Sequence, residues 1–320
     1  MEIIRDLAAL KTPLENSIAT IGNFDGVHLG HREIFREIVK KAAVTGGVSV
    51  VITFVPHPLK VLKPEQAPRL LNTYAEKERL VRASCVDYLV EIPFDQEMAE
   101  MSPDDFVTEI LIGKLGIRHL VVGYDYAFGR DRSGDADFLT RIGAEKGFSV
   151  EVLGPILRGE EIFSSTLARR LLAAGDVESV VEPLGRHFTL EGRVVSGAGR
   201  GARLGFPTAN LITEKEVLPR PGVYAVKVKY RDALYDGVMN IGFNPTFGSE
   251  RISLEVHILD FSQDIYGETI RVYFVERLRD EKVFKSADEL AASIAHDIEK
   301  ARAILGETKI IEYRDYLDCG

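Results

Sequence analysis

The chain has 320 residues, 45% hydrophobic and 28% charged, which are globular values with room for two ordinary domains. Its net charge of -9 excludes a global field that would draw nucleic acid or an anionic membrane, so neither is expected as a partner. No run of about eighteen apolar residues occurs, and Cys85 and Cys319 form neither a CxxC pair nor a metal-ligand spacing, as suits a reducing cytosol.

In chain order, the opening MEIIRDLAALKTPLENS mixes acids among its apolar residues, so no signal peptide is expected. SIATIG reads as a strand and runs into GNFDGVHLGH, residues 22 to 31. HREIFREIVKKAAVTGG then sets Ile34, Phe35, Ile38, Val39 and Ala42 at helical spacing and stops at Gly46-Gly47. VSVVITF is a continuous apolar run, as in a strand buried on both faces. YAEKERLVRAS predicts a helix and DYLVEIPF a strand. SPDDFVTEILIGKLG predicts a helix with Ser102 as N-cap, Pro103 first and Gly116 past its end. IRHLVVG, DADFLTRIGAEKG and FSVEVLG continue as strand, helix and strand. This alternation predicts a parallel sheet with helices on both faces, whose ligands bind beyond the carboxyl ends of the strands.

After about Pro183 the pattern changes. FTLEGRVV, GVYAVKVKY, ALYDGVMNIG, RISLEVHILDF and ETIRVYFVERL are β-branched or alternating runs with no helix between them, which predicts an antiparallel barrel or sandwich. SADELAASIAHDIEKARAIL closes the chain as a helix with the capping box Ser286-x-x-Glu289. The expected domains are residues 1–183 and 184–320.

GNFDGVHLGH follows a strand and opens a helix, where unpaired N–H groups and the positive end of the helix dipole favour an anion. Gly26 and Gly30 remove side chains where a phosphate must approach, and His28 and His31 point the same way on a first turn. Two imidazoles there can donate hydrogen bonds to developing negative charge. A structural turn is the bland reading, and zinc binding with His57 of TFVPHP a third. No GxxxxGK[ST] occurs, and Ala202 stands at the third glycine position of SGAGRG, so Walker and dinucleotide loops are rejected.

GYDYAFGRDRSG, residues 123 to 134, combines Tyr124, Tyr126 and Phe128 with Arg130 and Arg132, suited to stacking on a ring and gripping a phosphate. FSSTLARRLLAAGD offers Ser164 to Thr166 as a helix N-cap with Arg169 one turn in; ordinary capping explains it as well as phosphate binding does. GRVVSGAGRGARLGFPTANL sets Gly197, Gly199, Gly201 and Gly205 in one loop, with Arg200 or Arg203 adding charge, which can cover a polyphosphate, although composition alone favours a flexible loop. Thr208 and Asn210 of PTAN offer two oxygen ligands on one side of an extended chain, which suits Mg²⁺. In RISLEVHILDF, Ile252, Leu254, Val256 and Ile258 share one face, leaving Glu255 and His257 on the other.

GNFDGVHLGH, TFVPHP, GYDYAFGRDRSG and SSTLAR in this order, followed by the PTAN loop, GVYAV, NIGFNPTF and LEVHILDF, resemble the bacterial bifunctional riboflavin kinase/FMN adenylyltransferases from about residue 15 to 315. One departure is Ala168, where a larger apolar residue is commoner; it leaves Arg169 in register. The resemblance implies a Rossmann-like α/β nucleotidylyltransferase domain followed by an antiparallel β-barrel kinase domain with a C-terminal helix. It implies that the second half phosphorylates riboflavin to FMN with ATP and that the first adenylylates FMN to FAD. It further implies catalytic roles for Glu255, His28, His31 and Arg169. ATP contacts fall to Gly22, Asn23, Phe24, Gly30, Ser165, Thr166, Gly197, Gly199, Gly201 and Arg203. Flavin contacts fall to Pro56, His57, Asp125, Phe128 and Arg132, and Mg²⁺ to Thr208 and Asn210. Two other expectations stand beside it: adenylylation or cytidylylation of another phosphorylated metabolite, or a regulatory flavin-binding protein with one silent half.

Overall fold

The structure, a computed structural model, describes residues 1–124, 126–129, 134–158, 161–197, 199–246 and 249–313. It resolves into two compact units, one of Met1–Ser164 joined by Tyr313, the other of Ser165–Glu312.

The first unit is built on a six-stranded sheet: β1 (Glu2–Ile4), β2 (Ser17–Ile21), β3 (Val48–Val55), β4 (Tyr88–Pro93), β5 (Ile117–Gly123) and β6 (Ser149–Leu153). The order is β1-β4-β3-β2-β5-β6 and every pairing is parallel. The chain lays strands outward from β2 in one direction and then crosses to β5 on the other side. The order thus reverses between β2 and β5, and a reversal point is where such sheets open a crevice at their carboxyl edge. The crossover helix α1 (Leu29–Thr45) buries Ile34, Phe35, Ile38 and Ala42, and ends on Gly46 in the left-handed region at φ 64°. That termination is the expected one. β3 is buried along nearly all its length, as its unbroken apolar run requires. Two further helices are α2 (Tyr74–Arg82), opened by a capping box of Thr73 and Glu76, and α3 (Ala136–Lys146).

One local difference from the sequence reading concerns the winding of a helix. After Ser102 caps Pro103–Asp105 as expected, Phe106–Ile112 winds as a π-helix, with Gly113 N–H donating to Thr108. Hydrophobic spacing reports the buried face and does not separate these two windings. Cys319, one of the chain's two cysteines, lies outside the described residues.

The second unit is a closed six-stranded barrel of β7 (Thr189–Val195), β8 (Ala209–Ile212), β9 (Gly222–Tyr230), β10 (Ala233–Thr246), β11 (Ser249–Ile258) and β12 (Thr269–Arg279). The order is β7-β8-β11-β10-β9-β12, antiparallel throughout, with β12 returning to β7. Leu254 and Val256 pair with Ile241 and Met239, and all four are buried in the barrel interior. Register shifts between β9 and β12 supply curvature for closure. The helix α4 (Ser165–Ala174) precedes the barrel, and α5 (Ala287–Leu305) packs on β9, β10 and β12 outside it. The α5 cap departs slightly from a capping box: Ser286 accepts from Glu289 N–H, but the Glu289 carboxylate accepts from Lys285 N–H.

The expected division at 183/184 differs from the packing. The compact units part between Ser164 and Ser165. Within the second unit, Arg220 N–H donates to the Leu172 carbonyl at 2.9 Å, and a Cβ on Gly175 would lie 2.6 Å from the Arg277 side chain. Within the first unit, the Tyr313 hydroxyl is 2.5 Å from Ser84 Oγ, and the Arg32 guanidinium lies 4.1 Å over the Tyr313 ring. The change of periodicity marks where strands begin, not where contacts divide.

Candidate active sites

In the first unit, the carboxyl ends of three adjacent strands carry the three clusters: β3 leads to Pro56 and His57, β2 to residues 22–28, and β5 to Tyr124. Gly22 N–H donates to Ile52 at 3.0 Å, continuing the β2–β3 ladder into the loop. A Cβ on Gly22 would stand 3.0 Å from the Phe24 ring, which is buried edge-on against His31 (centroids 5.2 Å) and Phe35 (4.9 Å). Only the Phe24 backbone is therefore available to a nucleotide. The loop turns through left-handed Phe24, Gly26 and Val27, at φ 46°, 80° and 40°.

His28 is the N-cap residue of α1 and makes no side-chain cap bond, and no acid occupies the first turn. An incoming anion would meet the helix dipole unopposed. The rings of His28 and His31 stack with centroids 3.6 Å apart at 28°, as their spacing predicts. Both Nδ1 atoms are enclosed by the protein. A Cβ on Gly30 would lie 3.0 Å from His28 Cε1. The glycine thus makes room for an imidazole, a closer constraint than the phosphate approach expected of it.

His57 caps the short helix Pro58–Leu62, its Nδ1 accepting from Leu59 N–H at 3.2 Å, while Pro56 is exposed. That bond occupies one ring nitrogen, and among the described residues no three His, Cys, Asp or Glu side chains gather as a metal site. The zinc reading finds no support. Phe128, expected at the flavin, is 8% exposed and packs among Phe106, Tyr126 and Phe138. It can form the wall of a ring site but offers little open face. Burial pushes the Tyr126 hydroxyl above the ordinary tyrosine range. Asp125, Arg130 and Arg132 lie outside the described residues.

Sequence reasoning passed over a buried polar layer beneath this loop. The Asp25 carboxylate accepts from Leu71 N–H at 2.9 Å and Asn72 N–H at 3.4 Å. Lys77 of α2 donates from Nζ to the Asn23 carbonyl at 2.7 Å and to Thr53 Oγ1 at 3.4 Å. Its signal was a lysine on the inward face of an amphipathic helix. Ser165, Thr166 and Arg169 open α4, which belongs to the second unit.

In the barrel, Glu255 of β11 sits between Asn210 of β8 and Asn240 of β10 as a direct cross-strand neighbour of both. All three share the face opposite the interior residues Leu254 and Val256, as the alternation predicts. Ser253 Oγ donates to one Glu255 oxygen at 3.0 Å, and Thr208 Oγ1 stands 3.5 Å from the other. His257 lies on the same face but serves differently. Its Nδ1 donates to the Pro207 carbonyl at 2.7 Å, which fixes the residue before Thr208.

The glycine loop returns close to these groups. A Cβ on Gly197 would fall 2.1 Å from Asn210 Nδ2, and one on Gly201 2.4 Å from the Phe206 carbonyl. Gly199 instead supplies a left-handed turn, φ 64°, before the helical turn Arg200–Arg203, on which Arg203 is exposed. Beside Thr208 opens a cavity of about 280 Å³ whose walls include Val194, Val256, Phe261, Asp264 and Tyr266. Thr208 thus links the cavity, whose wall it forms, to the Glu255 carboxylate 3.5 Å away, a group able to accept a hydroxyl proton. The segment 261–266 carried no motif by which the sequence could mark it.

Known proteins are similar to both halves. Residues 10–167 match the FAD synthetase family and residues 184–305 the riboflavin kinase family. A bifunctional riboflavin kinase/FMN adenylyltransferase of Pseudomonas fluorescens is 39% identical over 95% of this chain and 98% of its own length. The chain belongs to the bifunctional riboflavin kinase/FMN adenylyltransferase family. The Escherichia coli K12 member of this family is 38% identical over 97% of this chain and 99% of its own. A solved structure described as a macrolide-efflux protein of Streptococcus pneumoniae is also similar, at 34% identity and TM-score 0.85, covering 94% of this chain and 98% of that one. Among the described residues of this family member, no helix is long and apolar enough to cross a membrane.

Proposed function

We propose that phosphorylation of riboflavin is carried out at Glu255, Thr208 and Asn210, and adenylylation of FMN at the loop of His28 and His31. The protein is a riboflavin kinase and FMN adenylyltransferase, using ATP in both steps and giving FMN and then FAD. The observation that carries the kinase assignment is the Asn210–Glu255 pair with Thr208 beside it. In this step the riboflavin 5′-hydroxyl oxygen bonds to the γ-phosphorus of ATP, the bond to the bridging oxygen breaks, and ADP leaves. Glu255 accepts the hydroxyl proton and passes it to solvent. In the second step a phosphate oxygen of FMN bonds to the α-phosphorus of ATP and pyrophosphate leaves. His28 and His31 stabilise the charge on that phosphorus, and the α1 N-terminus adds its dipole. Both steps rest on positioning and electrostatics.

Thr208 and Asn210 supply hard oxygens, and Mg²⁺ uses few protein ligands beside phosphates and water, so the donor set fits that ion. They would hold it with ATP, and it supplies neutralisation of phosphate charge when bound. Gly197, Gly199, Gly201 and Arg203 would cover the kinase ATP. Gly22, Asn23, Gly30, Ser165, Thr166 and Arg169 are proposed for the adenylyl step, the last three on their motif alone. Pro56, His57 and Phe128, with Asp125 and Arg132, are proposed for the flavin. The activities divide along the sequence near 183/184, and the protein works in the cytoplasm, without nucleic acid or membrane.

Riboflavin incubated with the protein, ATP and Mg²⁺ and followed by chromatography tests the whole reading. FMN appears first and FAD after it. FMN alone would overturn the adenylyl assignment, and neither product would favour a flavin-binding role.

A further inference from the structure

The loop before His28 is held from below by one element. α2 and its leading turn grip it twice: Leu71 and Asn72 donate to Asp25, and Lys77 donates to the Asn23 carbonyl. Phe24, between these two grips, is left-handed, and Gly26 and Val27, directly after Asp25, are left-handed as well. Phe24 and Val27 carry side chains that disfavour that region, so contacts from outside the loop must impose its shape. Lys77 is 5% exposed, and its ammonium reaches across α2 to β3, where Thr53 is the second acceptor. The first helical turn, with both imidazoles, begins directly after these imposed turns.

We infer that Lys77 is a positioning residue for adenylyl transfer, holding the Asn23–Val27 loop in the shape that sets His28 and His31 at the start of α1. The inference rests on the assignment of that transfer to the His28/His31 loop. A purely structural reading is available: Lys77 balances the buried acids around it. The charges facing it are Asp25 from the loop and Glu91 from β4, the latter ion-paired with Arg5, which also reaches Glu78; Glu76 and Tyr74 flank it on α2 itself. Charge balance alone would affect stability and leave turnover per folded molecule unchanged. Positioning acts on turnover, because a displacement of about 1 Å in catalytic groups lowers rate by about a hundredfold. Burial also pulls Lys77 down to about 8, opposed by Asp25 and Glu91. Its charge-assisted bond to Asn23 weakens as pH rises through that value.

The experiment uses the full-length chain with supplied FMN, ATP and Mg²⁺, from neutral to alkaline pH, and riboflavin phosphorylation by the same sample as reference. Lys77→Met lowers kcat for FAD formation by about a hundredfold, shifts KM little, and leaves phosphorylation unchanged. Wild-type kcat for FAD formation falls along an alkaline limb near pH 8, and that limb is absent from Lys77→Met. His31→Ala is measured beside it. If His31→Ala forms FAD at the wild-type rate, the loop assignment falls and this inference with it. If His31→Ala is impaired while Lys77→Met keeps wild-type kcat and pH profile, the Lys77 inference alone is overturned. Should Lys77→Met fail to fold, Thr53→Val removes one acceptor of the ammonium and moves the alkaline limb to lower pH; an unmoved limb overturns the inference equally.

Discussion

The two halves build their candidate sites in opposite ways. The first encloses its polar groups: His28, His57, Asp25 and Lys77 are all buried, and each is placed by α1, α2 or a strand end. The barrel leaves Glu255, Thr208 and Asn210 half-exposed on its outer face, under a glycine loop whose turns leave space beside the side chains. A site that stabilises charge on phosphorus gains from dipoles fixed in advance in a dry setting. A site that takes a proton from an arriving hydroxyl needs its carboxylate open to that hydroxyl. The first half stores its organisation in burial and the second in backbone register.

Four measurements sharpen or break this contrast, from the largest effect downward. Glu255→Gln removes the proton acceptor and lowers riboflavin phosphorylation by about 10²–10⁴-fold, while supplied FMN is still converted to FAD. Loss of both activities together would mean that Glu255 supports the fold. His31→Ala is the mirror case, slowing FAD formation by about 10²–10³-fold with phosphorylation intact. A variant that makes FAD from FMN at the wild-type rate rules out the proposed role.

Gly197→Ala probes the barrel's reliance on close approach. The new Cβ would fall 2.1 Å from Asn210 Nδ2 and must displace that amide. The kinase KM for ATP rises by about tenfold, equivalent to about 1.4 kcal/mol of binding, with FAD formation untouched. An unchanged KM would remove Asn210 from the ATP site.

The smallest effect concerns acid stability in the second unit. His187 is buried, its Nδ1 accepts from Ile311 N–H at 3.0 Å, and burial holds its pKa below the usual histidine value of 6.5. The folded pKa is depressed, so on acidification the unfolded chain binds a proton before the native one does. The stability from neutral His187 is present above pH 6.5 and is lost as pH falls through the folded pKa, by at most about 1.4 kcal/mol per pH unit. Urea unfolding of wild type and His187→Gln at neutral and mildly acid pH measures it. Equal acid slopes in the two proteins would deny the role.

Much of the local geometry of each candidate site was legible because its signals are local. The spacing of His28 and His31 implied that they face one way, and their stacked rings do so. The alternation around Glu255 implied a shared face with His257, and the β10–β11 register shows it. Local patterns say less about what lies across from a residue. Phe128 reads as a ring-stacking aromatic yet packs in a cluster with Phe106 and Phe138, and Gly30 reads as a phosphate glycine yet adjoins the His28 ring. Lys77 reads as one more charge on an amphipathic helix, and only the loop above it shows why it is inside.

By itself the sequence determined which segments are strands and helices, that a parallel α/β half precedes an antiparallel β half, and that the chemistry-bearing clusters follow strand ends. Periodicity reports which face of an element is buried, and turn residues report where it stops. Neither reports which element lies opposite. The tertiary structure alone decided that β2 and β5 are neighbours at the reversal of strand order, and that the second half closes as a barrel rather than a sandwich. It also decided that α4 joins the barrel's compact unit and that α2 underlies the histidine loop. These outcomes depend on pairings between residues far apart in the chain, where backbone hydrogen bonds and buried area are satisfied jointly rather than segment by segment.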